Sequence, residues 1–182
     1  MVKCFHRIAI FRIVDLEVFS LEPYQNVYNT LKSLDIPYEV VEHPPAWTTE
    51  EADSYIVGKE GVRTKTLFLT NKKKNAYYLV IMDEAKRLDM MQLAEILHEE
   101  RISFASPARL SRKMDLLPGV VSIFGLLNND EHDIKVYLDK EMVAERLISF
   151  HPNDNSKTLF ISTEDMYRFL TSIGYEYNIV EL

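Results

Sequence analysis

From Thr64 to Thr70 polar and apolar positions alternate, and after Asn71-Lys72-Lys73-Lys74-Asn75 a nearly continuous apolar run extends from Ala76 to Met82. Two strand patterns joined by a short polar link with Asn at both ends predict a β-hairpin. Period two puts Lys65 on the face of Leu67 and Leu69, opposite Thr64, Thr66 and Phe68. A lysine on an apolar face has two readings here. Either its stem packs while its ammonium reaches water, or the cation is kept there for function.

The rest of the chain alternates strands with short helices. Glu22-Pro23 opens a helix with Val27, Leu31 and Leu34 at helical spacing, stopped by Pro37 just past Asp35. A strand over Tyr38 to His43 and the extended or turned His43-Pro44-Pro45-Ala46-Trp47 lead to Thr48. With Glu51 it forms a capping box for a helix ending near Gly58. Asp89 caps a helix bearing Met90, Leu93, Ala94 and Leu97 on one face, and Ile102 to Ala105 is a short strand. Ser106-Pro107 starts a helix through Leu110, and Pro118-Gly119 turns into a buried strand from Val120 to Leu127. Strands over Ile134 to Asp139, Ile148 to Phe150 and Thr158 to Ile161 follow, with a short helix over Glu141 to Arg146. Ser162 or Thr163 then caps a helix through Ile173, and Tyr175 to Val180 is a last strand. The predicted fold is α+β: a single domain with a mixed, largely antiparallel β-sheet flanked by short helices, not a doubly wound parallel sheet.

Composition narrows the class. At 182 residues, 47% hydrophobic and 27% charged, the chain is an ordinary globular one with a core of useful size. Cys4 is the single cysteine, so no internal disulfide forms, and the five scattered histidines leave no zinc spacing; no metal site and no cofactor are expected. These features suit a reducing, cytoplasmic setting. Met1 to Leu21 is interrupted by Arg12, Asp15 and Glu17, so neither a signal nor a membrane segment is read there; residues 1–22 form an extension of unassigned role before a domain at 23–182. The net charge of −7 argues against indiscriminate nucleic-acid binding. Its distribution is uneven. Between Val57 and Asn75 stand Lys59, Arg63, Lys65, Lys72, Lys73 and Lys74 against Glu60 alone, and Arg101 to Lys113 adds Arg101, Arg109, Arg112 and Lys113 without an acid. Such clusters make either a basic face for RNA or solvated turns.

Several runs occur in order: TKTLFLTN from Thr64, LVIM from Leu79, ISFASPARL from Ile102, PGVVSIFGLLNN from Pro118 and FHPNDNSKTLFIS from Phe150. Together they resemble the YbaK/prolyl-tRNA-synthetase-associated editing domain family, and within it the free-standing prolyl-tRNA editing branch. The resemblance covers the chain from about Tyr24 to its end. It implies a curved mixed sheet around a central helix, and hydrolysis of a wrong amino acid, alanine in this branch and cysteine in related ones, from tRNA(Pro). It further implies that Lys65 matches the family's functional lysine, His151 the histidine of its His-Pro motif, and Gly119 the glycine of a Gly-x-x-x-Pro loop in which Ile123 replaces the proline. The loop through Trp47 then lines the amino-acid pocket; without the family, Trp47 is equally a plug over the core.

The candidate catalytic set is therefore Lys65, His151 and Gly119. The candidate substrate-binding set is Thr64, Thr66, Phe68, Ser122, Phe124, Pro152 and Asn155. Lys72, Lys73, Lys74, Arg63 and Arg109 are the candidates for tRNA contact. A prolyl-tRNA synthetase or an elongation factor would be a further partner, with no membrane involved. Gly58-Lys59-Glu60-Gly61 is not a phosphate loop, because a strand follows where a helix is needed. The chain has no Gly-x-Ser-x-Gly elbow and no Cys-His pair. An aminoacyl ester needs neither, being already activated and flanked by a ribose hydroxyl; the protein must hold it, stabilise the oxyanion and exclude the cognate amino acid by size. Outside this chemistry, the same basic face would suit a catalytically idle module that holds tRNA or a synthetase.

Overall fold

The computed structural model describes residues 22–46 and 48–182. Met1 to Leu21 and Trp47, with the expectations placed on them, lie outside the described residues.

Helix α1 (Pro23–Ser33) begins with Pro23, whose missing N–H costs nothing in a first turn, and buries Val27 and Leu31. Strand β1 (Glu39–Glu42) leads to α2 (Thr49–Tyr55), where the Thr48 hydroxyl accepts from the Glu51 N–H at 3.2 Å. The hairpin is β2 (Val62–Asn71) and β3 (Tyr77–Asp83). The Asn71 side chain closes its turn by accepting from the Asn75 N–H, and Lys74 takes a positive φ of 61°. Helix α3 (Met90–Ile96) is capped by Asp89, which accepts from the N–H groups of Met91 and Gln92. Strand β4 (Ile102–Phe104), helix α4 (Pro107–Met114), strands β5 (Ile134–Asp139), β6 (Leu147–Phe150) and β7 (Lys157–Ser162), helix α5 (Thr163–Ser172) and strand β8 (Tyr177–Val180) complete the order. Among the described residues no helix is long and apolar enough to cross a membrane.

One expected strand is absent. Val120 to Leu127 does not pair; Ile123–Asn128 form a 3-10 helix, started by the Ser122 hydroxyl accepting from the Phe124 N–H at 3.3 Å. Gly125 lies under Met114 and Leu116, where a Cβ would come within 2.6 Å of Leu116. A short, fully buried apolar run reads alike as strand or buried helix, and packing against α4 decides it. The helix expected over Glu141 to Arg146 shortens likewise to a 3-10 turn, Met142–Ala144.

The strands form one mixed sheet in the order β1-β7-β6-β2-β3-β5-β8, with β4 paired to β2 off this path. The pairs β1/β7, β2/β3, β2/β4 and β6/β7 are antiparallel, and β2/β6, β3/β5 and β5/β8 are parallel. Its centre is covered on both sides, which is why β3 reads as continuous apolar sequence. Leu79 and Ile81 join the larger core with α1, α4 and α5, while Tyr78 and Val80 join a smaller one with Leu69 and the α3 residues Leu93 and Ala94.

The topology leaves a gap. On one edge β2 pairs with β3 from Thr64 to Thr70. On the other it pairs with β6 only at Val62 and Arg63, and with β4 only at Leu69 to Asn71. Thr64 to Leu67 thus have a strand on one side and a slot on the other, which ends where the Ala105 N–H donates to the Phe68 carbonyl at 3.0 Å.

Candidate active site

The slot opens into a cavity of about 490 Å³. All five residues from Thr64 to Phe68 line it, so the strand's edge is itself a wall. Phe104 and Ala105 line it at the β4 end and His151 at the β6 end, and Pro118, Gly119 and Val121 complete this part of the wall. Pro107 and Leu110 of α4 also line it, with Ala46 and Thr48 from the segment before α2.

Lys65, Gly119 and His151, far apart in sequence, are brought to this one cavity. The Lys65 ammonium donates to the carbonyls of Glu84, at 3.1 Å, and Lys86. An ammonium has three donors, so one N–H remains. The carbonyl cage is held from behind. Lys86 pairs with the fully buried Asp139 at 3.0 Å and with Glu141 at 3.1 Å. Burial pulls the Lys86 ammonium down, but hydrogen bonds to the two carboxylates outweigh it and its pKa is raised.

Gly119 has a φ of +93°, following Pro118 in a turn closed by the Val120 N–H on the Leu117 carbonyl at 3.2 Å. Proline followed by a positive-φ glycine is the type II turn pattern. Nothing lies within 4 Å of where a Cβ would stand, so the backbone is open to an approaching group. Its N–H carries no hydrogen bond among the described residues.

His151 directs Nδ1 at the Lys157 carbonyl, 3.0 Å away. A carbonyl only accepts, so Nδ1 carries the proton and the neutral ring keeps its lone pair on Nε2. Burial, helped by His43 and opposed by the Lys157 hydrogen bond and Asp154, lowers the His151 pKa below its ordinary 6.5 and favours this neutral form. His43 differs. It stacks on Tyr55 with centroids 5.1 Å apart, and its Nδ1 and Nε2 are both engaged, by the Pro44 carbonyl at 2.8 Å and the Thr158 hydroxyl at 3.0 Å.

The other candidates divide. Thr64, Thr66 and Phe68 line the cavity. Asn155 does not line it but fastens its rim, its Nδ2 donating to the Ala46 carbonyl at 3.1 Å and its carbonyl accepting from the Ala46 N–H at 2.9 Å. Pro152 is buried beside His151 in the chain and away from the lining. Ser122 and Phe124 are core. Ser122 caps the 3-10 helix, and Phe124 packs edge-on against Phe150 and Phe169. They belong to the run expected as a strand, and its helical form turns them inward.

Among the cations, Arg63 is the clearest departure from expectation. Its guanidinium donates to the carbonyls of Gly61, Ile56 and Lys59, lies 3.4 Å from Asp53 and sits over the Phe160 ring. That ties the 56–61 loop to the sheet and leaves little for phosphate. Lys72 pairs with Glu100, Lys74 donates to the Ser103 hydroxyl at 3.2 Å, and Lys73 is exposed. Arg109 reaches the Ser106 hydroxyl at 3.3 Å, on the helix that carries Pro107 and Leu110. Phe104 escaped the sequence reading. It lines the cavity while 62% exposed, in a strand too short to show alternation.

Known proteins resemble this chain in sequence and in fold. The model of the aminoacyl-tRNA editing domain matches residues 43–169. The prolyl-tRNA editing protein ProX of Acetoanaerobium sticklandii is 33% identical over 163 residues, 90% of this chain and 99% of that one. Prolyl-tRNA synthetase associated domain-containing protein 1 of Bos taurus is 32% identical over 150 residues, 80% and 87% of the two chains. Among solved structures, a candidate trans-editing enzyme for prolyl tRNA synthetase superposes with a TM-score of 0.68 at 17% identity, covering 88% of this chain and 97% of that one.

Proposed function

The chain belongs to the aminoacyl-tRNA editing domain family, and we propose that it is a free-standing deacylase that hydrolyses Ala-tRNA(Pro). The observation that carries the reading is the convergence of Lys65, Gly119 and His151, whose Nδ1 is engaged by the Lys157 carbonyl, on one cavity beside an unpaired strand edge. The family and the ProX relative support the substrate class, a mischarged tRNA(Pro).

In this reading the terminal aminoacyl ester enters the slot. Nε2 of His151 accepts a proton from water as the water oxygen attacks the ester carbonyl carbon. The carbonyl π electrons move onto oxygen, where the Gly119 N–H and the remaining Lys65 N–H offset the developing charge. Collapse breaks the bond to the ribose 3′ oxygen, which takes the proton back from His151. The products are free amino acid and intact tRNA. Phe68, Leu110 and Val121 bound the cavity with apolar surface, and in this reading they exclude the proline ring by size.

The test is release of amino acid from purified Ala-, Cys- and Pro-tRNA(Pro), with a chelator present throughout. Rapid loss of alanine alone is expected. Loss of cysteine in place of alanine would reassign the acyl group, and survival of all three with tRNA still bound would make the chain a binding module.

A further inference from the structure

The free edge of β2 carries its own chemistry. The Ala105 N–H donates to the Phe68 carbonyl at 3.0 Å, and the Ser149 hydroxyl donates to the Val62 carbonyl at 3.1 Å. Both acceptors therefore point away from β3, towards β4 and β6. The Arg63 carbonyl instead accepts from the Glu84 N–H at 2.8 Å, on the β3 side. Backbone polar groups alternate direction along a strand, so even-numbered residues of β2 present theirs to the slot. Thr66 is the middle one. No strand stands opposite it, and neither its N–H nor its C=O has a partner among the described residues. Backbone groups so placed need a partner, and the cavity supplies the space for one.

We infer that Thr66 binds the aminoacyl group as one strand residue binds another in a hydrogen-bonded antiparallel pair. An α-aminoacyl ester offers an N–H donor and a C=O acceptor on the two sides of one Cα, the same two groups that such a pair exchanges. Its α-ammonium donates to the Thr66 carbonyl, and the Thr66 N–H donates to the ester carbonyl oxygen. When water attacks, that oxygen becomes the oxyanion, and the Thr66 N–H is a second backbone donor to it beside Gly119. Paired residues put their side chains on the same face, so the amino-acid side chain stands on the face of Thr66 and Phe68, within the apolar part of the cavity. The pairing rests on the deacylase reading of this site and adds to it the group that recognises an α-amino acid.

Thr66→Pro removes the N–H that faces the slot, and a free edge is where a strand tolerates proline. Thr66→Val is its reference, keeping the N–H while removing the hydroxyl. With Ala-tRNA(Pro), Thr66→Pro is expected to fall below Thr66→Val by roughly 10²- to 10³-fold in kcat, the usual cost of one oxyanion donor, with KM little changed. Equal rates for the two variants would overturn the pairing. A second arm needs no variant: propionyl-tRNA(Pro) keeps the ester and lacks the α-amine. The wild-type rate enhancement over spontaneous hydrolysis is expected to be about 10- to 100-fold smaller for propionyl than for alanyl ester, the worth of one charged hydrogen bond. Equal enhancement would overturn the pairing even if Thr66→Pro failed to fold. A wild type inactive on both Ala- and Cys-tRNA(Pro) would overturn the deacylase reading and the pairing with it, whereas an active wild type with indifferent variants removes the pairing alone.

Discussion

Among hollows of similar size on the surface, one of about 490 Å³ along the β2 slot and one of about 450 Å³ beside β1 and β7 differ in what their walls have left to give. In the second, Lys59 is paired with Glu39, Asp165 is taken up by Ser162 and Arg168, and Glu60 is exposed with no partner among the described residues to position it. In the first, the Nε2 of His151, one N–H of Lys65 and the backbone of Gly119 and Thr66 remain uncommitted among the described residues. Volume alone does not distinguish them. A site for chemistry is a hollow whose polar groups are positioned by the fold yet not consumed by it.

The sharpest way to break this contrast is to remove the proton acceptor. His151→Ala is expected to lower kcat for Ala-tRNA(Pro) by about 10²- to 10⁴-fold, measured in single turnover, while Lys59→Ala in the second hollow leaves the rate unchanged. Lys65→Ala follows with a loss of roughly 10²-fold or more and a melting temperature close to wild type, since a half-buried lysine at the cavity wall contributes little packing. Asp139→Asn tests the support behind it. With the Lys86 pair weakened, the carbonyl cage loosens and the rate falls on the order of tenfold, less than for Lys65→Ala itself. In Lys65→Ala the same change should add nothing.

The pH profile separates the hollows by another route. His151 has a lowered pKa, so it is neutral in the folded protein at pH values where an ordinary histidine is already protonated. Activity should hold as pH falls through 6.5 and be lost only below it. The same shift acts on stability with a fixed sign. Below 6.5 the unfolded chain binds the proton more readily than the folded one, so the contribution of His151 to stability declines as pH falls from there. His151→Gln should remove both effects, as read from the acid limb of kcat/KM and from denaturant midpoints at pH 5 and pH 7. The smallest effect is expected at the hairpin tip. Replacing Lys72, Lys73 and Lys74 with Glu should raise the dissociation constant for tRNA several-fold and flatten its salt dependence, by about 0.7 to 0.9 in the log–log slope for each phosphate no longer neutralised. An unchanged slope would assign these lysines to solvent.

What could be read from the chain depended on how local the cause was. The hairpin, the Asp89 and Thr48 caps and the Pro23 start are fixed by residues a few positions apart, and all stand where their patterns put them. Val120 to Leu127 failed because a buried apolar run has no period of its own; packing against Met114 and Leu116 coils it. Ser122 and Phe124, named for the candidate site, lie at the start of that coiled run and are core. Arg63 was misjudged for a related reason, since its carbonyl partners at Ile56, Lys59 and Gly61 form a loop whose shape no pattern announces. The slot was not legible at all. It exists because β6 and β4 share one edge of β2 without meeting, a fact of strand order and register.

That the β2 edge holds the aminoacyl end of the substrate is tested most directly by amide chemical shifts recorded during titration with a non-hydrolysable 3′-alanylamino analogue of the terminal adenosine. The expected result is perturbation of Thr64 to Phe68, Gly119 and His151, largest at Thr66 and Phe68, with Lys59, Glu60 and Phe160 of the second hollow unmoved. Saturable binding that perturbs the second hollow, or that leaves the β2 edge unshifted, would contradict it.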